Sequence, residues 1–373
     1  MVTSFHAAIV FVIVLLSGSV WATPTAPKQV TIHNNDPLVY YHGRWDASPG
    51  TWWAGSGFKL NVLSLESLNM TLGNHTTSPL ASIGVSVNYG AFYQVNVSAG
   101  ANSIPLSGLN GSAGKNTVVR INVQDWQDNR INLETLTLNS GASLIPYTPS
   151  KLAFQYIGDS LSAGQFLPQG VDQAWPFLTG EAYKAEHVVV AQPGAALSDI
   201  YSYGNEHGMS YMFFRTEDDG YFYTTDHNYT TPWNFARDVP AATHVVIVIG
   251  ANDSGQNVTS DSFVEVFKEF FVNVRKIYPN QPIFVFTPWG WFSETSVSYY
   301  YPGDYEGIVN YRHSLGDNNV HLVNTTGWIG WDDVYSDNGH PNPQGHQKIA
   351  GRFQDWLEKW GLSPEKSWAT AVL

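Results

Sequence analysis

The chain has 373 residues, enough for one large domain or two of ordinary size, and 43% of them are hydrophobic while 13% are charged. This balance supports a sizeable core and excludes a chain that is disordered throughout. The formal net charge of −13 repels phosphate backbones and anionic membrane surfaces, which argues against nucleic-acid binding and leaves neutral substrates such as sugars open.

The N-terminal segment predicts secretion. An apolar run from Ala7 to Leu16 is too short to span a bilayer, and the small residues after it place a cleavage site before Thr23. The start of the segment lacks the usual Lys or Arg. We therefore expect residues 1–22 to be a signal peptide, and the mature protein to be extracellular and free of the membrane.

Glycosylation sequons support this expectation, because their density in an exported chain favours a secreted eukaryotic glycoprotein. Cysteine is absent, so the fold must rely on its hydrophobic cores rather than on disulfides. The candidate glycosylation sites are Asn69, Asn74, Asn96, Asn110, Asn228, Asn257 and Asn324.

Residues 29–147 have the pattern of an antiparallel β-sandwich of the jelly-roll type. Short apolar or alternating runs are separated by clusters of Gly, Asn, Ser and Pro, without a convincing helical stripe. The stretch IPYTP then predicts a stiff, extended linker. Strands are predicted over residues 38–41, 82–89, 92–97, 116–123 and 132–138.

Residues 151–365 alternate between strand and helix patterns, which predicts a parallel α/β sheet with helices on both faces. In such a sheet, functional sites form at the carboxyl ends of the strands. Buried parallel strands are predicted over residues 152–157, 187–191, 244–249, 282–286 and 320–323, and helices over residues 262–277 and 344–360.

Residues at that edge suit serine hydrolysis, which needs a hydroxyl, a base, a group that orients the base, and donors for the oxyanion. Ser160 follows the first strand, and Asn252 follows the third. Near the C-terminus, Asp337 and His340 are three residues apart, a spacing that within one helical turn places a carboxylate beside an imidazole. Taken singly, each of these residues equally fits an ordinary turn, surface or core position.

Four blocks in order, namely GDSL, a glycine after the second strand, GAND and DNGH, resemble the SGNH or GDSL hydrolase superfamily. The resemblance implies a flavodoxin-like α/β/α domain with a five-stranded parallel sheet and no cofactor or metal. It implies that Ser160 is the nucleophile and that His340 is the base, oriented by Asp337. The Ser160 N–H, the Gly194 N–H and the Asn252 amide would form the oxyanion hole. The chain lacks the G-x-S-x-G elbow of the α/β-hydrolases.

A β-sandwich joined to such a domain resembles, more narrowly, carbohydrate esterase family 2, as do the segments HGRWDASPGTWWAGSGFKLNV and TPWNFARDVPAATHVVIVIGAND. This resemblance implies a secreted, fungal, monomeric serine esterase that removes acetyl groups from plant polysaccharides such as xylan and glucomannan. Some members of that family hold the base with other groups, so the role of Asp337 stays open. The alternatives are an SGNH lipase or thioesterase, a pectin-side-chain acetylesterase, and a catalytically silent carbohydrate-binding protein.

Aromatic residues near the same edge are candidates for substrate contact. Trp289 and Trp291 lie just after the fourth strand, where their rings would stack on sugars or pack within the loop. Trp52 and Trp53 in the sandwich fit core or interdomain packing better than a sugar platform. The long insertion over residues 201–235 is expected to cover the cleft or to dock on the sandwich.

Two of the blocks have competing interpretations. Asp337, His340 and His346 form an alternative metal site, although their spacing matches no recognised one and a further ligand is not evident. Asn252 also begins a sequon, and a glycan there would remove the amide donors. We therefore expect Asn252 to be unmodified.

Overall fold

A computed structural model describes Met1 and residues 28–109, 114–125, 129–217 and 231–372. The body of the predicted signal peptide and the sequons at Asn110 and Asn228 lie outside the described residues. Within those ranges, the helices are all too short or too polar to cross a bilayer.

The N-terminal part is built from antiparallel strands in two sheets. The strands described are β1 Val30–His33, β2 Tyr40–His42, β3 Gly50–Thr51, β4 Gly57–Leu63, β5 Leu68–Leu72, β6 Ala81–Val87, β7 Tyr93–Val97, β8 Gly100–Ile104, β9 Asn116–Val123, β10 Ile131–Leu138 and β11 Ser143–Ile145. One sheet has the order β1-β10-β5-β8, with β3 beside β10, and the other has the order β11-β4-β9-β6-β7, with β2 beside β4.

The side chains of β4 point alternately to the two faces of its sheet, and both faces are buried. Phe58, Leu60 and Val62 are fully buried in the sandwich core, as period-two alternation requires. The intervening Lys59 and Asn61 point to the opposite face, and both are also buried. The second face of this sheet is therefore covered too, and the C-terminal part of the chain covers it.

The C-terminal part has the fold class that the sequence predicts, a parallel α/β sheet. Its strands are β12 Ala153–Asp159, β13 Glu186–Gln192, β14 His244–Val248, β15 Ile283–Phe286, β16 Trp291–Phe292, β17 Val297–Ser298 and β18 Val320–Val323. The parallel sheet has the order β13-β12-β14-β15-β18, and β16 and β17 form a separate antiparallel hairpin. The helices are α1 Ser160–Ala163, α2 Trp175–Tyr183, α3 Met209–Met212, α4 Ala251–Gly255, α5 Ser260–Ile277, α6 Asp304–Ser314 and α7 Pro343–Trp360, with 3-10 turns at Gly170–Gln173, Phe235–Arg237 and Trp331–Asp333.

Two hydrophobic clusters cover the two faces of the parallel sheet. Along β12, Tyr156 belongs to one cluster and Ile157 to the other, because successive side chains point to opposite faces. The apolar stripe of α5, which includes Phe267 and Phe270, packs on the second face. Phe353 of α7 packs on the first. Helices therefore lie on both sides of the sheet, and its carboxyl edge stays open.

Buried charges join the two parts. Lys59 of β4 forms an ion pair with Glu186 at the start of β13, and both side chains are almost fully buried. Arg120 donates to both carboxylate oxygens of Glu181, at 2.6 and 2.8 Å. Because an unpartnered charge is costly to bury, these pairs favour a single orientation of the sandwich on the α/β part.

The C-terminal tail extends past the boundary at residue 365 that the sequence suggested and returns to the sandwich. Trp368 stacks on Tyr89 with ring centroids 4.7 Å apart. The backbone carbonyl of Thr370 accepts a hydrogen bond from the Tyr89 hydroxyl at 2.8 Å. The tail thus adds a second connection between the two parts of the chain.

Candidate active site

Ser160 lies at the junction between β12 and α1. The Asp159 side chain caps the helix, with Oδ1 accepting the Leu161 N–H at 3.0 Å. A Cβ on Gly158 would lie 2.6 Å from the Ser162 hydroxyl and 2.9 Å from the Val248 carbonyl oxygen, so the close approach of the backbones requires glycine. The short turn fixes the Ser160 hydroxyl at the carboxyl edge of the sheet.

His340 lies beside Ser160, and its Nε2 is 3.0 Å from the Ser160 Oγ. Its Nδ1 is 3.2 Å from the backbone carbonyl oxygen of Asn338. A carbonyl only accepts, so this contact assigns the proton to Nδ1 and leaves Nε2 free to accept the serine proton. The backbone N–H of Tyr335 donates to the His340 carbonyl at 2.8 Å and holds the loop.

Asp337 does not lie beside the imidazole. It is exposed to solvent, and the carbonyl of Asn338 occupies the position expected for its carboxylate. The spacing of three residues predicts that the two side chains meet, as they do within a helix. Residues 336–338 form a turn, however, and the final helix begins only at Pro343.

Two aromatic rings enclose the His340 imidazole. Phe166 and Trp291 meet it edge-on, with centroid distances of 4.9 and 5.4 Å and interplanar angles of 78 and 79°. Burial disfavours the charged form and lowers the pKa of His340, while the hydrogen bond to Asn338 acts weakly in the opposite direction. The imidazole therefore stays neutral down to a lower pH than the imidazole of an exposed histidine does. A general base must be neutral to accept a proton. Phe166 is not marked by any sequence motif.

Gly194 occupies the third position of a tight turn. The Ala195 N–H donates to the Gln192 carbonyl at 3.1 Å, Pro193 is second in the turn, and Gly194 has φ of 78°. These are the features of a type II turn, which requires positive φ at its third residue. Gly194 lines the same cleft as Ser160, and its N–H donates to no acceptor in the described part of the chain.

Asn252 lies on α4, beside the same cleft. Its Nδ2 donates to the Ala195 carbonyl at 2.9 Å and is 3.4 Å from Asp159 Oδ2, which is near the limit of a hydrogen bond. One Nδ2 hydrogen of Asn252 is thus held by the carbonyl of Ala195, and the other makes only a weak contact with Asp159. Burial, with a smaller effect of the nearby Asp253, raises the pKa of Asp159 to about 7.

Asp253 is a buried residue whose role the sequence reasoning missed. Its carboxylate accepts the backbone N–H groups of Leu197 and Ser198, at 2.7 and 2.9 Å. It therefore ties α4 to the loop that carries Gly194. The position of the Gly194 N–H relative to the Asn252 amide depends on these two hydrogen bonds and on the hydrogen bond from Asn252 to Ala195.

An open cleft of about 750 Å³ surrounds these groups. Its aromatic lining includes Trp291, which is 37% exposed, and Tyr203, which is 64% exposed. Trp289 does not contribute, which corrects the expectation that both tryptophans face the substrate: it is 3% exposed and packs in the core. The described lining residues are Ser160, Gln165, Phe166, Gln192, Pro193, Gly194, Tyr203, Gly204, Asn205, Ala251, Asn252, Ser254, Gly255, Trp291, Ser298, Tyr299, Tyr300, Asn338 and His340.

The remaining candidates lie apart from this cleft. His346 is buried and accepts the Trp175 N–H on Nδ1 at 3.1 Å, so it packs between α7 and α2. Trp53 donates to the Thr216 carbonyl at 2.8 Å, which is a contact between the sandwich and the α/β part. Among the described sequons, Asn74, Asn96, Asn257 and Asn324 are exposed and Asn69 is half-buried.

A serine hydroxyl in contact with a histidine, beside two N–H donors that line the same cleft at the carboxyl edge of a parallel sheet, is the arrangement of a serine hydrolase of carboxylic esters. The sequence profile of the GDSL-like lipase/acylhydrolase family matches residues 156–348, and the chain belongs to that family. No curated protein sequence matches the chain.

Solved structures share the two-part fold at low sequence identity. A family two carbohydrate esterase from Cellvibrio japonicus has a TM-score of 0.70 and 16% identity, over 89% of this chain and 98% of that one. An acetyl xylan esterase from Butyrivibrio proteoclasticus has a TM-score of 0.66 and 17% identity, over 89% and 99%. A salicylyl-acyltransferase from a tetracycline biosynthetic pathway has a TM-score of 0.65 and 15% identity, over 90% and 98%.

Proposed function

We propose that the protein is a secreted serine esterase that removes O-acetyl groups from plant cell-wall polysaccharides such as xylan and glucomannan. The observation that carries the proposal is the 3.0 Å contact between Ser160 Oγ and His340 Nε2 on the wall of an open, aromatic-lined cleft. The fold likeness to an acetyl xylan esterase supports the same substrate class.

The reaction follows from the proton positions. His340 Nε2 takes the proton of Ser160 as Oγ attacks the acetyl carbonyl carbon, and the carbonyl electron pair moves to oxygen. That oxyanion accepts hydrogen bonds from the Ser160 N–H, the Gly194 N–H and the Asn252 amide. The bond from the carbonyl carbon to the sugar oxygen then breaks, and His340 returns the proton to that oxygen. Water repeats the attack on the acetyl-serine, acetate leaves, and Ser160 regains its proton.

The charge and the aromatic residues of the cleft lining distinguish neutral sugars from charged substrates. None of the described residues that line it is Asp, Glu, Lys or Arg, so the lining offers no fixed charge for the carboxylates of pectin or for the phosphates of an acyl carrier. Trp291, Tyr203 and Tyr299 supply flat rings at its rim, which suit the apolar faces of neutral sugars. These features favour acetylated xylan and glucomannan over the charged substrates, pectin and acyl-carrier thioesters.

The experiment is acetate release from acetylated xylan, glucomannan and pectin, with a long-chain 4-nitrophenyl ester as the lipase test. We expect release from the neutral polysaccharides and none from Ser160→Ala, because the covalent route is lost. Turnover retained by clean Ser160→Ala would overturn the mechanism. Preference for pectin or for the long-chain ester would overturn the substrate class, and sugar affinity without acetate release would indicate a binding protein.

A further inference from the structure

A tight turn, Ser202–Asn205, packs against the Pro193–Gly194 peptide at the cleft. The backbones of Ser202 and Asn205 exchange hydrogen bonds in both directions, at 3.0 and 2.9 Å. Tyr203 and Gly204 between them have φ of 46 and 92°, as a type I′ turn requires. Ser202 and Asn205 themselves are buried, at 0 and 2% exposure.

The side chains of Ser202 and Asn205 hydrogen-bond to the carbonyls of the two central residues of the Gln192–Ala195 turn. Asn205 Nδ2 donates to the Pro193 carbonyl at 3.0 Å and also to the Ser202 carbonyl at 3.0 Å. The Ser202 hydroxyl donates to the Gly194 carbonyl at 2.6 Å. The first residues of the insertion, which the sequence predicts to cover the cleft or to dock on the sandwich, thus contact the backbone of the site.

The contact at Pro193 determines where the Gly194 N–H points. In a trans peptide the carbonyl and the N–H of the same unit point in opposite directions. Since the Pro193 carbonyl points toward Asn205, the Gly194 N–H of the same peptide unit points in the opposite direction. That N–H meets no acceptor in the described chain, and Gly194 lines the cleft, which leaves the N–H available to a ligand there.

We infer that Asn205 is a positioning residue that locks the Pro193–Gly194 peptide in its type II orientation, with Ser202 holding the next carbonyl. A Pro-Gly pair also fits a type I turn, in which the central peptide is inverted and its N–H would leave the oxyanion. Without the donor on Asn205, the two orientations compete. The inference deepens the proposed function and rests on it.

The test replaces the donor while keeping the shape of the side chain. Asn205→Asp and Asn205→Ala are assayed with 4-nitrophenyl acetate, together with Ser202→Ala, which removes the other clamp. Loss of a whole oxyanion donor costs about 10²- to 10³-fold in kcat, so we expect loss of its positioning to lower kcat by about 10- to 100-fold. The KM should change by less than about three-fold, because the ground-state carbonyl gains little from the hole.

Two further measurements separate positioning from general destabilisation. Phenylboronic acid forms a tetrahedral adduct on the nucleophile, so its affinity should fall with kcat/KM in the Asn205 variants. Asn129→Ala is the matched control, because Asn129 is also buried and its Nδ2 donates to the Ser82 carbonyl at 2.8 Å, and neither residue lines the cleft. Its thermal stability should fall while its kcat stays unchanged.

Each outcome bears on the inference. Folded Asn205→Asp or Ser202→Ala with kcat within about three-fold of the parent would overturn it, whether or not Asn205→Ala folds. If Ser160→Ala is inactive while the Asn205 variants are fully active, only the positioning role fails. If Ser160→Ala itself retains turnover, the proposed function fails first.

Discussion

Replacement of Asn252 by alanine tests the oxyanion hole most directly. The amide of Asn252 is already oriented, since Nδ2 donates to the Ala195 carbonyl at 2.9 Å. Its other hydrogen is only weakly engaged, at 3.4 Å from Asp159 Oδ2, and is free to meet an oxyanion. Alanine removes this donor and leaves Ser160 and His340 in place.

The expected magnitude follows from what is lost in each state. One preorganised donor to the oxyanion is worth about 2.7–4 kcal/mol, so kcat of Asn252→Ala should fall by about 10²- to 10³-fold. The folded state loses one good hydrogen bond to Ala195, worth about 1 kcal/mol, which lowers Tm by about 2 °C in a protein of this size. The loss of rate should therefore greatly exceed the loss of stability.

The assay is the initial rate of 4-nitrophenol release from 4-nitrophenyl acetate, beside a thermal unfolding curve for the same preparation. Asn252→Asp provides a second variant, because it keeps the shape and replaces the donor with an acceptor. Asn129→Ala again controls for loss of a buried amide. A kcat for folded Asn252→Ala within about three-fold of the parent would refute the assignment of this amide to the oxyanion hole.

Two further predictions concern His340. Phe166→Ala exposes the imidazole, so the pKa of His340 should rise toward the ordinary value of 6.5. Because only the neutral base is active, the acid limb of the pH profile of kcat/KM should then move to higher pH. An unchanged or downward-shifted limb would contradict the role of burial. Asp337→Ala should keep kcat within about two-fold, since a backbone carbonyl holds Nδ1, and a loss of about 100-fold would restore the carboxylate to the mechanism.

The residues that were predictable from sequence are those that follow directly from the ends of strands. Ser160, Gly194 and Asn252 each come just after one of the parallel strands β12, β13 and β14, and the carboxyl ends of such strands meet at one edge. The approximate position of each strand was therefore enough to bring these residues together. The two-part fold was predictable for a similar reason, because strand and helix periodicities differ along the chain.

Other features of the site have no signal of this kind. Trp289 and Trp291 are two residues apart, but Gly290, with φ of 110°, turns the chain between them, so one ring enters the core and the other reaches the cleft. Asn205 contacts Pro193 from 12 positions along the chain, through a turn whose docking depends on the folded state. Such contacts follow from tertiary packing rather than from local pattern.

The partner of His340 was hidden for a different reason, which also bears on how the base works. The acceptor is the backbone carbonyl of Asn338, a group that every residue carries and that no sequence pattern marks. A neutral carbonyl fixes the tautomer but stabilises an imidazolium less than a carboxylate would, so it does little to offset the burial by Phe166 and Trp291. The pKa of His340 therefore stays low. A base held in this way keeps its neutral, proton-accepting form to a lower pH than a carboxylate-paired histidine does.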